Sequence, residues 1–349
     1  MNKIIPILII VMLIIGCGDT VDRTPNGQKR IDHHKPMAWG KKHVIYVFAD
    51  DDVWRKSEFQ LRRTLERFVF TTENEKYFEV KRAPFDAIEQ FYKYNNLIFM
   101  TDLNSEGEVS DYVKSVISER ITKEVEENLV GVYPVENLWA NDQYVLFMLG
   151  STKENLLKLN YLHLNKTFKL FREKLIARIS RQLFQIEQYG AQTFATFPWE
   201  MSIPKKYVVY KRDPANNFIS FIARLRESSD RYVSVYWEDS DENNVSRDWL
   251  KEKRAELAWK YYDEDEYVED NLRSEKFEIA GYKGWKISGM WMNKKYTAGG
   301  AFQCYAFYDE QTKKSYVIDN SVYFPQGYKL QGLLELEIIS NTFEIKTTQ

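Results

Sequence analysis

Cysteine is nearly absent. Two residues in 349, Cys17 and Cys304, allow at most one disulfide and exclude a cysteine-framework fold or a multi-thiolate zinc site. Histidine is almost as scarce: of four, only His43 and His163 lie outside the adjoining pair His33-His34. A Cys-His or Ser-His pair therefore has few candidate bases, and no nucleophile motif accompanies them. An excess of one charge is also missing. Lys and Arg total 49 against 51 acids, a formal net charge of -2, so the electrostatic footprint of a nucleic-acid binder is lacking and no nucleic-acid partner is expected. No Gly-rich phosphate loop occurs. What the chain does have is 44% hydrophobic and 15% aromatic residues, enough apolar surface for a globular protein, and a length that suggests two domains.

Its one long apolar run opens the chain. A basic Lys3 precedes Ile4 to Ile15, and a small residue, Gly16, precedes Cys17; this is signal-peptide grammar. A transmembrane helix is the competing reading, but these residues rise only about 18 Å against a hydrocarbon core of about 30 Å, and Pro6 weakens it further. The end of the run, Ile14-Ile15-Gly16-Cys17, resembles the lipobox of bacterial lipoproteins. That resemblance implies cleavage before Cys17, a diacylglycerol thioether on its sulfur and an N-acyl (palmitate-type) chain on its new amino group. Two or three chains hold a protein on a membrane where one does so only marginally. The bland alternative is a secreted protein in which Cys17 is incidental. With Gly18 rather than an aspartate after the cysteine, the lipobox family's sorting pattern implies the outer membrane, facing the periplasm. Residues 1–16 are thus read as a lipoprotein signal peptide, and 17–42, polar and broken by Pro25, Gly27 and Pro36, as a lipidated N-terminus and flexible tether. His33-His34 is read as part of that linker.

Residues 43–190 are expected to form a layered α/β unit with a partly parallel sheet. The run His43 to Asp52, "HVIYVFADDD", reads as a buried strand entering a helix over Val53 to Phe68, and "NNLIFMTDL" repeats the pattern before a helical stretch around Tyr112 to Asn128. "VGVYPVENLWA" and "QYVLFMLGS" read as paired strands, and a long helix follows over about Thr152 to Gln188. In open α/β sheets ligands sit at the carboxyl ends of the strands, and both apolar strands end in acids: Asp50, Asp51 and Asp52 on one, Asp102 on the other. Converging carboxylates there would suit Mg²⁺. The competing reading is that acids after strands cap helices and form turns.

Residues 191–349 change to alternating patterns, "FPWEMSIPKKYVVYKR", "NFISFIARLR" and "RYVSVYWED", with further strands after a charged helix at Ser246 to Tyr262 and a last helix at Lys329 to Phe343. The whole is α+β, the second half an α+β sandwich with a mainly antiparallel sheet. Gly299-Gly300-Ala301-Phe302, Tyr308-Asp309-Glu310, Tyr316 to Asp319, Val322 to Pro325, Lys329 and Leu333 to Glu337 resemble the C-terminal signature of a Bacteroidetes-type family of Gram-negative lipoproteins, DUF4837-like, a domain of unknown function. The first half is similar to it through its opening strand, acids and Trp54. The resemblance implies lipidation and supplies no catalytic residue.

Two acidic stretches need weighing. "DSDENN", Asp239 to Asn244, begins like a calcium loop but has Asn244 in place of the turn glycine and Leu250 at the twelfth position, so it fails the EF-hand template. "DEDEYVED", Asp263 to Asp270, reads as a solvated loop. Cys304 alternates with Phe302 and Ala306 and reads as a small buried hydrophobe. Six of the nine tryptophans fall in this half; Trp237, Trp285 and Trp291 are candidates for stacking sugars or holding lipid, against the ordinary fate of core packing. Two functions follow. One is a non-catalytic binding or scaffolding module of the cell envelope, without a cofactor, on the membrane through its lipid, with an envelope protein, glycan or lipid as ligand. The other is a metal-assisted hydrolase using Asp50, Asp51, Asp52 and Asp102.

Overall fold

A computed structural model describes residues 32–224, 228–241 and 244–346; the signal run and Cys17 lie outside the described residues. The chain divides into two compact units, Met1–Arg67 with Lys76–Leu175, and Phe68–Glu75 with Ile176–Gln349.

In chain order the first unit holds β1 (Val44–Phe48) and α1 (Asp51–Leu65). The hairpin β2 (Phe68–Phe70) and β3 (Asn74–Lys76) interrupts it, and β4 (Glu79–Arg82), α2 (Ile88–Phe91), β5 (Asn96–Asp102), α3 (Glu108–Val116) and α4 (Glu119–Asn128) follow. Then come β6 (Val130–Glu136), β7 (Tyr144–Gly150), α5 (Lys153–Leu162) and the start of α6 (Leu164–Phe184). The sheet order is β4-β1-β5-β7-β6. Its first four strands are parallel and β6 runs antiparallel to β7. Every residue of β5 and β7 is buried, as expected of parallel strands covered on both faces. Phe48, Phe99 and Phe147 stack across three neighbouring strands with ring centroids 4.8 and 5.4 Å apart.

The stretch read as one helix from Tyr112 to Asn128 is two, because Ile117 is extended and the Ser118 hydroxyl accepts from the Ile121 N–H to start α4; a serine that caps competes with helix continuation. The long helix after Thr152 is likewise interrupted at His163. The described part of the stretch read as a tether is held against this unit. The Asn141 side chain accepts from the Asp32 N–H and donates to the Asp32 and Lys35 carbonyls, and Trp39 exchanges backbone bonds with Lys93 and Asn95. One buried amide thus satisfies several backbone groups that a free linker would leave to water.

The second unit contains β8 (Trp199–Glu200), β9 (Val208–Asp213), β10 (Phe218–Ala223), β11 (Asp230–Asp239), α7 (Arg247–Tyr261) and β12 (Glu266–Tyr267). It continues with β13 (Arg273–Ile279), β14 (Tyr282–Asn293), β15 (Ala298–Asp309), β16 (Lys314–Tyr323), α8 (Leu330–Ser340) and β17 (Glu344–Ile345). An antiparallel sheet runs β12-β14-β15-β16-β11-β10-β9, with β13 also on β14. Side chains alternate between its faces. Phe218, Phe302, Cys304, Ala306 and Val317 pack with Leu250, Leu257 and Tyr261 of α7. Ile219, Phe221, Tyr305, Phe307 and Ile318 pack with Leu333, Leu336 and Ile339 of α8.

Two buried polar arrangements were not legible in the apolar pattern. Glu75, from the hairpin, accepts the Lys329 and Leu330 N–H groups at 2.7 and 2.8 Å and the Thr71 hydroxyl. It caps α8, which has no side-chain cap of its own. On the other face Arg254 of α7, 2% exposed, lies 3.9 Å above the Phe302 ring with its Nε 3.7 Å from Asp319 Oδ1. Burial raises the Asp319 carboxyl above its ordinary range and the nearby guanidinium opposes that shift.

Candidate functional site

The strand-end acids of the first unit come to the switch between β1 and β5, and each has a partner within the protein. The Asp50 carboxylate accepts from the Val109 and Ser110 N–H groups, both at 3.2 Å, so it occupies the N-terminus of α3, where an anion would otherwise bind. Gly107 permits this approach: a Cβ there would lie 2.6 Å from the Asp50 carboxylate. Asp51 pairs with Arg82, and Asp52 pairs with Lys153, which holds its carboxyl below the usual range. Asp102 accepts from the Asn104 N–H and the Ser105 hydroxyl. Among the described residues no three His, Cys, Asp or Glu side chains gather where they could hold a metal ion. These carboxylates serve as caps, turn formers and ion pairs.

A pocket of about 320 Å³ opens instead in the second unit, at the end of the sheet where α7 finishes. The register explains why its wall is assembled there. Asp230 of β11 faces Tyr323 of β16, and Trp291 of β14 faces Gly300 of β15 and Tyr267 of β12. A bulge in the β9–β10 pairing leaves Tyr210 out of the ladder, which re-aims a side chain. Tyr210, Tyr232 and Tyr262 form a ring cluster: Tyr210 and Tyr232 meet edge-on at 5.5 Å, Tyr232 and Tyr262 edge-on at 5.7 Å, and Tyr210 and Tyr262 lie parallel at 6.2 Å. Trp291 and Tyr323 form a tilted pair at 6.0 Å, and Tyr296, 58% exposed, completes the aromatic lining. Gly300 lets the Trp291 indole seat, since a Cβ at that position would be 2.7 Å from Trp291 Nε1. The Trp291 indole N–H is buried without a hydrogen-bond partner among the described residues.

The polar lining is acidic. Arg224 Nε donates to Asp230 Oδ2 at 2.9 Å, whereas Asp263 and Asp265 have no ion-pair partner among the described residues. Asn293 Nδ2 donates to Asp265 Oδ1 and to the Asp263 carbonyl, both at 2.8 Å. Burial, with Asp263 and Asp319 nearby, pushes the Asp265 carboxyl up to about 6, while Asn293 and Arg254 oppose the shift. Asp263 and Glu264 are consecutive non-glycine residues with φ of 53° and 71°, a left-handed conformation that aspartate tolerates and that costs a residue such as Glu264 about 1 to 2 kcal/mol. A carboxyl with a raised pKa, a strained loop and a concave aromatic wall coincide in one place.

Of the three tryptophans singled out by sequence, Trp291 lines this pocket. Trp237 is buried on the α8 face against Phe197 and Trp199, because it falls on the inward phase of β11. Trp285 lies under Lys276, its cross-strand partner, whose Nζ is 4.0 Å from the ring centre. The acid run from Asp263, read as solvated loop, contributes Asp263 and Asp265 to the pocket. No local motif announces Tyr210, Tyr232 or Tyr323.

Residues 188–342 match the family model described as "Domain of unknown function (DUF4837)". Residues 38–184 match another, "Domain of unknown function (DUF8532)". The DUF4837-like resemblance therefore holds in the second half, and the first half, read as similar to the same family, matches a separate model. No curated protein matches the chain. Among solved structures, a protein of Bacteroides thetaiotaomicron is 10% identical over 43% of this chain with a TM-score of 0.27, and the chain spans 46% of its length. The Ran-binding protein Mog1p of Saccharomyces cerevisiae is 10% identical over 42% of this chain and 90% of its own, TM-score 0.29. LpqN of Mycobacterium tuberculosis, described as involved in cell envelope biogenesis, is 10% identical over 43% and 83%, TM-score 0.28. Likenesses this loose carry no argument about function.

Proposed function

We propose, for a chain built of two domains of unknown function, that it is a lipid-anchored protein of the cell envelope whose second domain binds a saccharide without transforming it. The pocket carries this reading. A pyranose has apolar C–H faces that pack on aromatic rings and a rim of hydroxyls that needs donors and acceptors together. Tyr210, Tyr232, Tyr262, Trp291, Tyr296 and Tyr323 supply the faces, and Arg224, Asp230, Asp263, Asp265, Asn293 and Ser321 the polar groups. At about 320 Å³ the pocket sits at the small end of ligand sites, suited to one or two sugar rings. Binding rather than turnover is favoured because, among the described residues, the lining includes no histidine or cysteine and the Asp230 and Asp265 carboxyls accept hydrogen bonds from Arg224 and Asn293.

The lipobox-like Ile14 to Cys17 supports attachment through acyl chains on Cys17, in the outer membrane facing the periplasm. Among the described residues no helix is long and apolar enough to cross a membrane. Metabolic labelling with a clickable palmitate tests the anchor: labelling of the native chain and none of Cys17→Ser is expected, and equal labelling of both overturns it. Calorimetric titration of the full chain in detergent with glucose tests the pocket. Binding near 1 mM, abolished by Tyr232→Ala, is expected; heat that survives this substitution unchanged places the sugar elsewhere.

A further inference from the structure

We infer that the sugar taken by this pocket is an amino sugar with a free ammonium group, held between Asp263 and Asp265 and the tyrosine wall. The inference rests on the saccharide reading of the pocket. Among the described residues three carboxylates, Asp230, Asp263 and Asp265, line it against one cation, Arg224, and Arg224 is spent on Asp230 at 2.9 Å. Two carboxylates are left unmatched beside aromatic rings whose negative faces attract cations. A neutral sugar leaves that charge uncompensated, and a uronic acid adds to it. An N-acetylated sugar brings an amide where the site offers acceptors that lack a countercharge. A protonated amine supplies up to three donors and the missing charge.

The state of Asp265 agrees with this geometry. Its carboxyl titrates near 6 because burial and the neighbouring Asp263 and Asp319 outweigh Asn293 and Arg254. A cation placed beside it favours the ionised form and removes a penalty that the empty pocket carries.

The test is calorimetric titration of the full chain in detergent at pH 7, where Asp265 is ionised, with glucosamine, glucose and N-acetylglucosamine. Glucosamine is expected to bind at least tenfold tighter than either neutral sugar. In the double variant Asp263→Asn, Asp265→Asn the ratio of glucosamine affinity to glucose affinity is expected to fall to about one. Both substitutions suit the fold: asparagine tolerates the left-handed backbone at 263, and at 265 its amide oxygen can still accept from Asn293. Equal affinity for glucosamine and glucose overturns the amino-sugar inference and leaves the saccharide reading standing. Absence of heat with all three sugars overturns both. A tenfold preference that survives in the double variant removes these two carboxylates from the explanation and overturns the inference as stated.

Discussion

Removing the charge of Asp265 should stabilise the protein at neutral pH. Its carboxyl titrates near 6 in the folded chain against an ordinary 3.8, so the folded state resists its ionisation. Below about pH 3.8 the group is protonated in folded and unfolded chains alike and contributes nothing. Between 3.8 and 6 the unfolded chain ionises first, stability falls as pH rises, and above 6 the loss is complete. A shift of two units corresponds to about 3 kcal/mol, which partial solvent exposure of the carboxyl reduces to about 1 kcal/mol. Asp265→Asn keeps the bond from Asn293 and removes the charge. Thermal melts followed by tryptophan fluorescence report mainly on the second unit, where six of nine tryptophans lie. At pH 8 the variant should melt about 2 to 4 °C above the native chain, as about 1 kcal/mol produces in a domain of this size; at pH 4 most of the gap should close. A variant less stable at pH 8, or a gap that does not change with pH, would refute the reasoning.

Three further outcomes are expected. Glu75→Ala removes the acceptor of two buried N–H groups at the start of α8 and should cost about 2 to 4 kcal/mol in the same melts, with Glu75→Gln, which keeps an acceptor, costing less. Arg254→Met leaves the fully buried Asp319 without its countercharge and should cost about 3 to 5 kcal/mol, most of it recovered in the double variant Arg254→Met, Asp319→Leu; a double variant no better than the single one contradicts this. Glu264→Gly relieves a left-handed residue with φ of 71° and should stabilise by about 1 kcal/mol, readable as a rise in urea midpoint without a change in slope.

The strands of the first unit were legible because β1, β5 and β7 are continuous apolar runs of a length helices rarely have, and the antiparallel sheet of the second because its residues alternate. The hairpin of Phe68–Phe70 and Asn74–Lys76 was not: three residues a side leave too short a pattern, and its role depends on Glu75 reaching a helix more than two hundred and fifty positions along the chain. The helix break at Ser118 was hidden because apolar spacing continues across it while the hydroxyl ends the helix locally. Acids after β1 and β5 were visible, and the alternative reading of them, caps and turns, is what Asp50 and Asp102 do.

The pocket was harder to foresee for a geometric reason. Tyr210, Tyr232, Tyr262, Trp291 and Tyr323 come from five separate segments, and only sheet register brings them together. Trp291 could be named as a candidate from its residue type, but nothing in its own neighbourhood separates it from Trp237, which is core. The acid run at Asp263 looked like solvent-facing loop because charge is usually solvated; its placement against the tyrosines follows from where α7 ends.

The most direct measurement is a two-dimensional ¹⁵N spectrum of the tryptophan indoles of the full chain in detergent, with each signal assigned by substitution, recorded as glucosamine is added. The Trp291 indole signal should shift progressively to saturation while those of Trp237 and Trp285 stay in place. A Trp291 signal that never moves, or movement at Trp237 or Trp285 in its stead, would contradict the assignment of this pocket as the binding site.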